Sequence, residues 1–296
     1  METTGLLDNG RETAPSSELL ALARAALAED VGRGDVTSML TVGPDARARA
    51  RFVAREALVV SGLQAARAVF HEASGGEARF SVLVEEGERV EAGAVLATVE
   101  GGARQILAAE RVALNLVMRL SGVATLTSRY VEAVGGTATR ITDTRKTTPG
   151  LRTLEKAAVR AGGGANHRSG LDDGILIKDN HLALAGGVTE AMRRVWAGAP
   201  HLLKVEVEVE NQEELREALA AGADVVLLDN MSPGEVRVCV EVVRAESPDT
   251  LVEVSGGVNL STVQALAEAG PDLISVGALT HSAPSADISL EVETRP

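Results

Sequence analysis

The chain has 296 residues, of which 45% are hydrophobic and 24% charged, enough to form one large domain or two with a buried core. The formal net charge of −13 argues against general binding to nucleic acid or to an anionic membrane. The single cysteine, Cys239, excludes an intrachain disulfide and a cysteine-based zinc site.

The chain begins with a polar, acidic segment, residues 1 to about 15, which we predict to be a disordered lead-in. It lacks the apolar core of a signal peptide, and no uncharged run in the chain reaches the ~18 residues of a membrane span. We therefore expect a cytoplasmic protein. Apolar spacing then predicts a helix over 19–28, followed by a turn-rich loop over 29–38.

Residues 47–99 favour strands punctuated by glycines, with one helix near 64–73. A long helical pattern follows over 106–130, and Gly122 predicts a bend or a break within it. After this helix the pattern changes to short apolar strands that alternate with amphipathic helices.

Six segments of this second half are predicted strands, namely 139–143, 175–178, 203–209, 225–228, 252–254 and 274–276. Helix start signals lie between them, such as Asn211 with Glu214 and Ser232 with Glu235. The alternation predicts a parallel sheet and favours a barrel. Six strands are fewer than the eight of a full barrel, so the pattern does not establish closure.

Polar residues or glycines follow five of these strands, at the edge where parallel barrels carry their active sites. They are Arg145 and Lys146, Lys178, Asp229, Ser255 with Gly256, and Gly277. Loops are polar in most proteins, so one such position means little. Five in succession favour a functional site.

The segment LKVEVEVE (203–210) alternates strictly, which places Lys204, Glu206 and Glu208 on one face and valines on the other. In a barrel the charges would face inward, where they need partners or a ligand. An edge strand with one solvated face is the alternative, and the helices predicted on both sides of this strand make it less favoured.

Cations are concentrated in residues 145–168, where six Lys or Arg and one Glu give a net charge of +5 in an acidic chain. Arg152, Lys156 and Arg160 are spaced four apart, which predicts a solvated helix face. The remaining cations, together with one outside the segment, are predicted to face the barrel mouth: Arg145, Lys146, His167, Arg168 and Lys178. Crowded cations imply a small, strongly anionic substrate with phosphates or several carboxylates.

Carboxylates and glycines complete the predicted site. Glu208 and Asp229 suit Mg²⁺ or sugar hydroxyls, since Mg²⁺ prefers oxygen ligands and substrate phosphates. The SGG segment (255–257) can present successive N–H groups to a phosphate. The GGG segment (162–164) is better explained by close packing.

Several blocks resemble the quinolinate phosphoribosyltransferase family, the decarboxylating nicotinate-nucleotide pyrophosphorylases of NAD synthesis. They are ITDTRKTTPGLRTLEKAAVRAGGGANHRSGLDDGILIKDNH (141–181), ERVALNLVMRLSG (110–122), LLDNMSP (227–233), EVSGGVN (253–259) and ISVGALTHS (274–282). The likeness runs from about residue 29 to 290. It implies an α/β fold, with an N-terminal α/β sandwich domain over 1–115, completed by 284–296, and a partly open parallel α/β barrel over 116–283.

The resemblance also implies a reaction, in which quinolinate and phosphoribosyl pyrophosphate react with Mg²⁺ to give nicotinate mononucleotide, pyrophosphate and CO₂. The carboxylates of quinolinate would meet Arg145, Lys146, His167, Arg168 and Lys178. Glu208 and Asp229 would hold the ribose and the metal, and Ser255, Gly256 and Gly277 would line the phosphate end with His281 nearby. Lys146, Lys178, Glu208 and Asp229 would be the catalytic residues. Arg111 would come from the neighbouring subunit of a homodimer.

Two other functions stay open on the sequence. A paralogous phosphoribosyltransferase could use the same fold on another pyridine or pyrimidine base. A non-catalytic barrel could bind an anion without turning it over. Turnover with both substrates separates these functions from the first.

Overall fold

A computed structural model describes residues 15–293, so most of the predicted lead-in lies outside the described residues. The first half of the chain contains α1 (Ser17–Val31), α2 (Val36–Thr41), β1 (Arg47–Ala54), β2 (Leu58–Val59), α3 (Leu63–Ser74), β3 (Arg79–Val82), β4 (Arg89–Val90) and β5 (Val95–Gly102). Helix α1 starts where the Ser16 hydroxyl accepts the Leu19 N–H, and α2 starts where Asp35 accepts the Ser38 N–H.

The first half forms a small antiparallel sheet whose fourth strand comes from the other end of the chain. That strand is β12 (Ile288–Glu293), and the strand order is β12-β1-β5-β3. Phe52, Phe70 and Phe80 pack together with ring centroids 5.8–5.9 Å apart. These are all the phenylalanines of the chain, so its few large aromatic side chains are concentrated in this core.

A single long helix, α4 (Ala103–Ala133), follows the small sheet. It passes through Gly122 without interruption, so the prediction of a break was wrong. A Cβ atom at Gly122 would lie 2.0 Å from the Pro284 carbonyl oxygen, so glycine is needed where the chain returns towards β12. Within residues 15–293, no helix combines the length and apolar character that a membrane span requires.

The second half alternates strands and helices, as predicted. It contains β6 (Arg140–Thr142), α5 (Arg152–Ala161), β7 (Ile175–Ile177), α6 (Asp179–Ala185), α7 (Val188–Gly198), β8 (Val205–Val209), α8 (Gln212–Ala220), β9 (Val225–Asp229), α9 (Pro233–Glu246), β10 (Leu251–Ser255), α10 (Val263–Ala267), β11 (Leu273–Ser275) and α11 (Ala278–His281). The six strands form one parallel sheet in the order β6-β11-β10-β9-β8-β7. The predicted fold class, an α/β protein with an N-terminal α/β sandwich domain followed by a partly open parallel α/β barrel, is confirmed.

Strand β8 carries the predicted alternation. Val205, Val207 and Val209 are fully buried, and Glu206 and Glu208 are also buried, each with 8% of its surface exposed. The strand lies between β7 and β9, so the edge-strand alternative was wrong. Carboxylates therefore project from a central strand, where each needs a partner or a ligand.

Helix α5 does not present the solvated face that its charges predicted. Arg160 is exposed, but Lys156 is 3% exposed and the adjacent Glu155 is fully buried. The prediction for Lys156 was wrong because its ammonium group is buried against Asp143 and the His167 carbonyl. A Cβ atom at Gly162 would lie 2.3 Å from the Ala124 carbonyl oxygen, so the GGG segment serves close packing as predicted.

We expect Gly122→Ala to lower the free energy of unfolding by about 1–3 kcal/mol, because the new methyl group overlaps the Pro284 carbonyl. The better helix propensity of alanine would offset only part of this loss. Gly198→Ala is the matched control, since no atom lies within 4 Å of its Cβ position in α7. Denaturant unfolding of both variants tests this, and equal stability of the two would contradict it.

Candidate active site

A cavity of about 580 Å³ opens at the carboxyl ends of the parallel strands. Nine of the predicted site residues line it: Arg145, Lys146, His167, Arg168, Lys178, Glu208, Asp229, Ser255 and Gly256. These residues come from loops and strand ends that are far apart in sequence. The fold therefore collects the positions that followed the predicted strands around one space.

Three cations of the cavity have no carboxylate partner. Lys178 Nζ lies 2.5 Å from Glu208 Oε2, and His167 Nε2 lies 3.1 Å from Glu206 Oε2. Among the ion pairs of residues 15–293, by contrast, none involves Arg145, Lys146 or Arg168. Glu208 and Glu206 are thus paired with cations of the cavity wall, whereas three other cations of this wall have no such partner.

The two arginines are close enough to influence each other. Burial, followed by the charge of Arg145, lowers the pKa of Arg168. Arg168 Nη1 donates to the Gly174 carbonyl at 2.8 Å, and Arg145 Nε is buried without a hydrogen-bond partner. Neither guanidinium has a direct carboxylate partner among the described residues, so a bound anion would offset their repulsion. This edge of the cavity suits a ligand with several negative charges.

The opposite edge of the cavity is formed by backbone. Gly256 and Gly257 have φ angles of +89° and +62°, in the left-handed region that favours glycine. A Cβ atom at Gly256 would lie 2.2 Å from Asn230 Oδ1. Asn230 itself has φ +55°, and its N–H donates to the Ser255 carbonyl at 3.0 Å. The loops after β9 and β10 are thus packed together, and consecutive backbone N–H groups of such glycine loops suit a phosphate.

Two further predicted residues lie beside this cavity rather than on its wall. The Cβ position of Gly277 is 3.1 Å from Lys146 Cδ and 3.2 Å from the His281 ring. Thr280 Oγ1 donates to the Lys146 carbonyl at 2.8 Å, which ties the segment after β11 to the loop after β6. Arg111 is exposed on α4 and does not line the cavity in a single chain.

Beneath the cavity, a histidine and two carboxylates meet inside the barrel. His167 Nε2 lies 3.1 Å from Glu206 Oε2 and 3.6 Å from Glu253 Oε1. Burial, reinforced by the Glu206 charge, raises the pKa of Glu253 to about 7. Burial lowers the pKa of His167, but the hydrogen bond to Glu206 and the charges of both carboxylates outweigh it and raise the pKa overall.

The residue types and spacing of this cluster resemble those of a metal site. Each residue offers one potential ligand atom, and these atoms lie within 4.8 Å of one another. The hydrogen bonds favour another interpretation. His167 Nδ1 accepts the Arg168 N–H at 2.7 Å, so the ring proton is on Nε2, facing Glu206. A protonated ring nitrogen does not bind a metal. We interpret the cluster as the floor of the cavity, where the contact with Glu206 orients the His167 ring.

Sequence reasoning missed three residues that line this cavity, Thr144, Glu253 and Ser275. For Glu253 a signal was present. The segment LVEV in β10 alternates as β8 does, with Val252 and Val254 buried and the carboxylate between them. The reasoning that placed the glutamates of β8 inside the barrel would have placed Glu253 there as well.

Comparison with known proteins agrees with this geometry. The family model for the quinolinate phosphoribosyl transferase C-terminal domain matches residues 123–291, and the N-terminal domain model matches 35–121. The probable nicotinate-nucleotide pyrophosphorylase [carboxylating] of Synechocystis is 44% identical over 90% of this chain and 90% of that protein. The nicotinate-nucleotide pyrophosphorylase [carboxylating] of Mycobacterium leprae is 45% identical, covering 91% of this chain and 95% of that protein.

A solved structure shows the same architecture. The nicotinate-nucleotide pyrophosphorylase from Francisella tularensis superposes with a TM-score of 0.88 at 38% identity, over 95% of this chain and 98% of that one. Fold and cavity define a two-part α/β protein with a cation-lined cavity at the carboxyl ends of a parallel α/β barrel. The two family models together cover most of the chain, and the chain belongs to the quinolinate phosphoribosyltransferase family.

The raised pKa of Glu253 predicts a pH-dependent stability. In the unfolded chain its pKa returns towards 4.5, so its contribution to stability is present below pH 4.5 and is lost as the pH rises through about 7. The free energy of unfolding of the native protein should therefore fall relative to that of Glu253→Gln as the pH rises from 5 to 8. We expect this difference to change by on the order of 1–3 kcal/mol.

Unfolding at both pH values measures this difference. Glu241→Gln is the control, because Glu241 is an exposed glutamate on α9 and should leave the pH profile unchanged. A native protein and a Glu253→Gln variant with parallel pH profiles would show that Glu253 does not titrate in this range.

Proposed function

We propose that the protein transfers a phosphoribosyl group from phosphoribosyl pyrophosphate to quinolinate and releases pyrophosphate and CO₂, giving nicotinate mononucleotide for NAD synthesis. Membership of the family supports this function. The observation that carries it is the set of free cations, Arg145, Lys146 and Arg168, on one wall of the cavity. Quinolinate has two adjacent carboxylates, and arginine is suited to bidentate contacts with them.

The site can promote the first step by placing charge. The ring nitrogen of quinolinate attacks C1′ of the ribose, and the bond from C1′ to the pyrophosphate oxygen breaks. Positive charge develops on the sugar, which the carboxylates of Glu208 and Asp229 can stabilise from the cavity wall. The cations hold quinolinate in line for this attack, so the chemistry needs no protein nucleophile.

Decarboxylation then follows from the charge on the ring. Once the nitrogen is alkylated, the bond between C2 and its carboxylate breaks, CO₂ leaves and the electron pair stays at C2. The positive ring nitrogen stabilises this pair until a proton is added. The cations that hold the remaining carboxylate keep the ring in place during this step.

We also propose Mg²⁺ as the metal of the reaction. Glu208 and Asp229 offer hard oxygen ligands on neighbouring strands, at the wall where the sugar and phosphates would lie. This donor set fits an ion that binds proteins through one or two carboxylates and completes its shell with substrate phosphates. Bound there, Mg²⁺ would neutralise charge on the pyrophosphate. Without ligands, Lys178 is paired with Glu208. Once Glu208 binds the metal, Lys178 would be available to the substrate.

A homodimer would complete the site. Arg111 and Asn115 are exposed on the same face of α4, while the rest of that helix is largely buried. We propose that this face meets a second copy and that Arg111 enters the partner's cavity. The positive wall would then gain a further cation from the neighbouring subunit.

The proposed substrate is tested by its second carboxylate. Nicotinate lacks the 2-carboxylate, so one charge-assisted contact is lost while its cation stays in the cavity, at a cost of about 2–5 kcal/mol. We expect kcat/KM for nicotinate to be lower than for quinolinate by roughly 30-fold or more. Release of CO₂ and formation of nicotinate mononucleotide are the measurements. Comparable turnover of both compounds would refute the assignment and favour a paralogous activity.

The shared site is tested by mixing two inactive variants. Arg111→Ala and Lys146→Ala should each be nearly inactive as homodimers. A heterodimer of the two would contain one site with both native residues, so up to about half of the native activity should return. The separate homodimers, refolded in the same way, are the controls. A mixture that stays inactive although heterodimers form would exclude the contribution in trans.

A further inference from the structure

Helix α5 lies outside the cavity, yet its two buried charges contact both cationic loops of the cavity. Lys156 Nζ lies 2.5 Å from Asp143 Oδ1 and donates to the His167 carbonyl at 2.8 Å. The same Asp143 oxygen accepts the His167 N–H at 2.8 Å, and Asp143 Oδ2 accepts from Asn166 at 2.7 Å. The pair therefore holds both backbone groups of His167.

The preceding residue of α5 does the same for the other loop. Glu155 Oε2 accepts the Thr148 N–H at 2.9 Å, and Oε1 accepts the Thr148 hydroxyl at 2.8 Å. Arg119 of α4 donates to Glu155 Oε1 at 2.8 Å, and also to the carbonyls of Thr280 and Ala283. Glu155 thus fixes the segment that follows Arg145 and Lys146, and Arg119 joins it to the segment that carries His281.

Stability alone does not explain these charges. Glu155 and Asp143 are fully buried and Lys156 is 3% exposed. A buried ion pair costs desolvation energy, and apolar residues of similar volume often replace such a pair without loss of stability. What an apolar pair could not provide is the set of directed hydrogen bonds to Thr148, Asn166 and His167.

We infer that Glu155 and Lys156 are positioning residues for quinolinate: adjacent on one helix, they hold the loops 144–148 and 166–168 so that Arg145 and Arg168 stand at a fixed separation. Each charge acts on its own loop, Glu155 on the first and Lys156 on the second. Neither side chain lines the cavity. The role in catalysis rests on the proposed function, whereas the effect on the loops does not.

The first test is hydrogen exchange in the absence of substrates. We expect Lys156→Met to speed amide exchange in residues 165–168 by roughly tenfold or more and to leave 146–148 close to native. Glu155→Met should have the opposite pattern, because the Thr148 N–H and hydroxyl then lose their carboxylate acceptors. Lys204→Met is the matched control, since Lys204 is exposed and forms no ion pair among the described residues. Equal effects of both variants on both loops would overturn the inference.

The second test separates position from stability. Asp143→Asn combined with Lys156→Met removes both charges, so we expect the unfolding midpoint to recover relative to Lys156→Met alone. The KM for quinolinate should stay raised by about tenfold or more, with the KM for phosphoribosyl pyrophosphate changed less than about threefold. If the KM for quinolinate recovers together with the midpoint, Lys156 is only structural.

The two experiments fail independently. A native protein that does not turn over quinolinate would refute the proposed function, while the exchange pattern would still decide whether α5 holds the loops. If Lys156→Met does not fold, the charge-neutral combination still carries the comparison of KM values.

Discussion

The site depends on how buried carboxylates are matched by cations inside the barrel. Three carboxylates take nearby partners there: Asp143 pairs with Lys156, Glu206 with His167, and Glu208 with Lys178. An unpaired charge in this interior would cost several kcal/mol, so these partners are required for the fold itself. These pairs use Lys156, His167 and Lys178, and among the described residues Arg145, Lys146 and Arg168 have no carboxylate partner.

The ion pairs inside the barrel lie at two depths, one at the floor of the cavity and one at its wall. At the lower level, His167, Glu206 and Glu253 form the floor of the cavity, and the two carboxylates are buried. At the upper level, Lys178 and Glu208 form an ion pair at the wall of the cavity. The alternation of β8 produces both levels, because successive inward-facing residues of one strand rise through the barrel.

Helices α4 and α5 connect this interior to the rest of the molecule. At Gly122 the segment around Pro284 packs closely against α4 before it continues into β12. Because β12 pairs with β1, this segment leads from the barrel back to the small sheet along that helix. Arg119, one turn earlier on α4, reaches Glu155 on α5 and the carbonyls near His281. The orientation of the cationic loops is therefore linked to the packing between the two parts of the protein.

The sequence by itself determined the strands, the parallel α/β class, the inward carboxylates of β8 and the polar strand ends, because these depend on local periodicity and on the geometry common to parallel sheets. Only the tertiary structure decided which charges are paired. Lys156 has the spacing of a solvated residue, but it is buried because Asp143, 13 positions away, meets it behind the loop of His167. Glu206 and Glu253 are likewise brought together from different strands. Charge pairing joins residues distant in sequence, and periodicity carries no information about those distances.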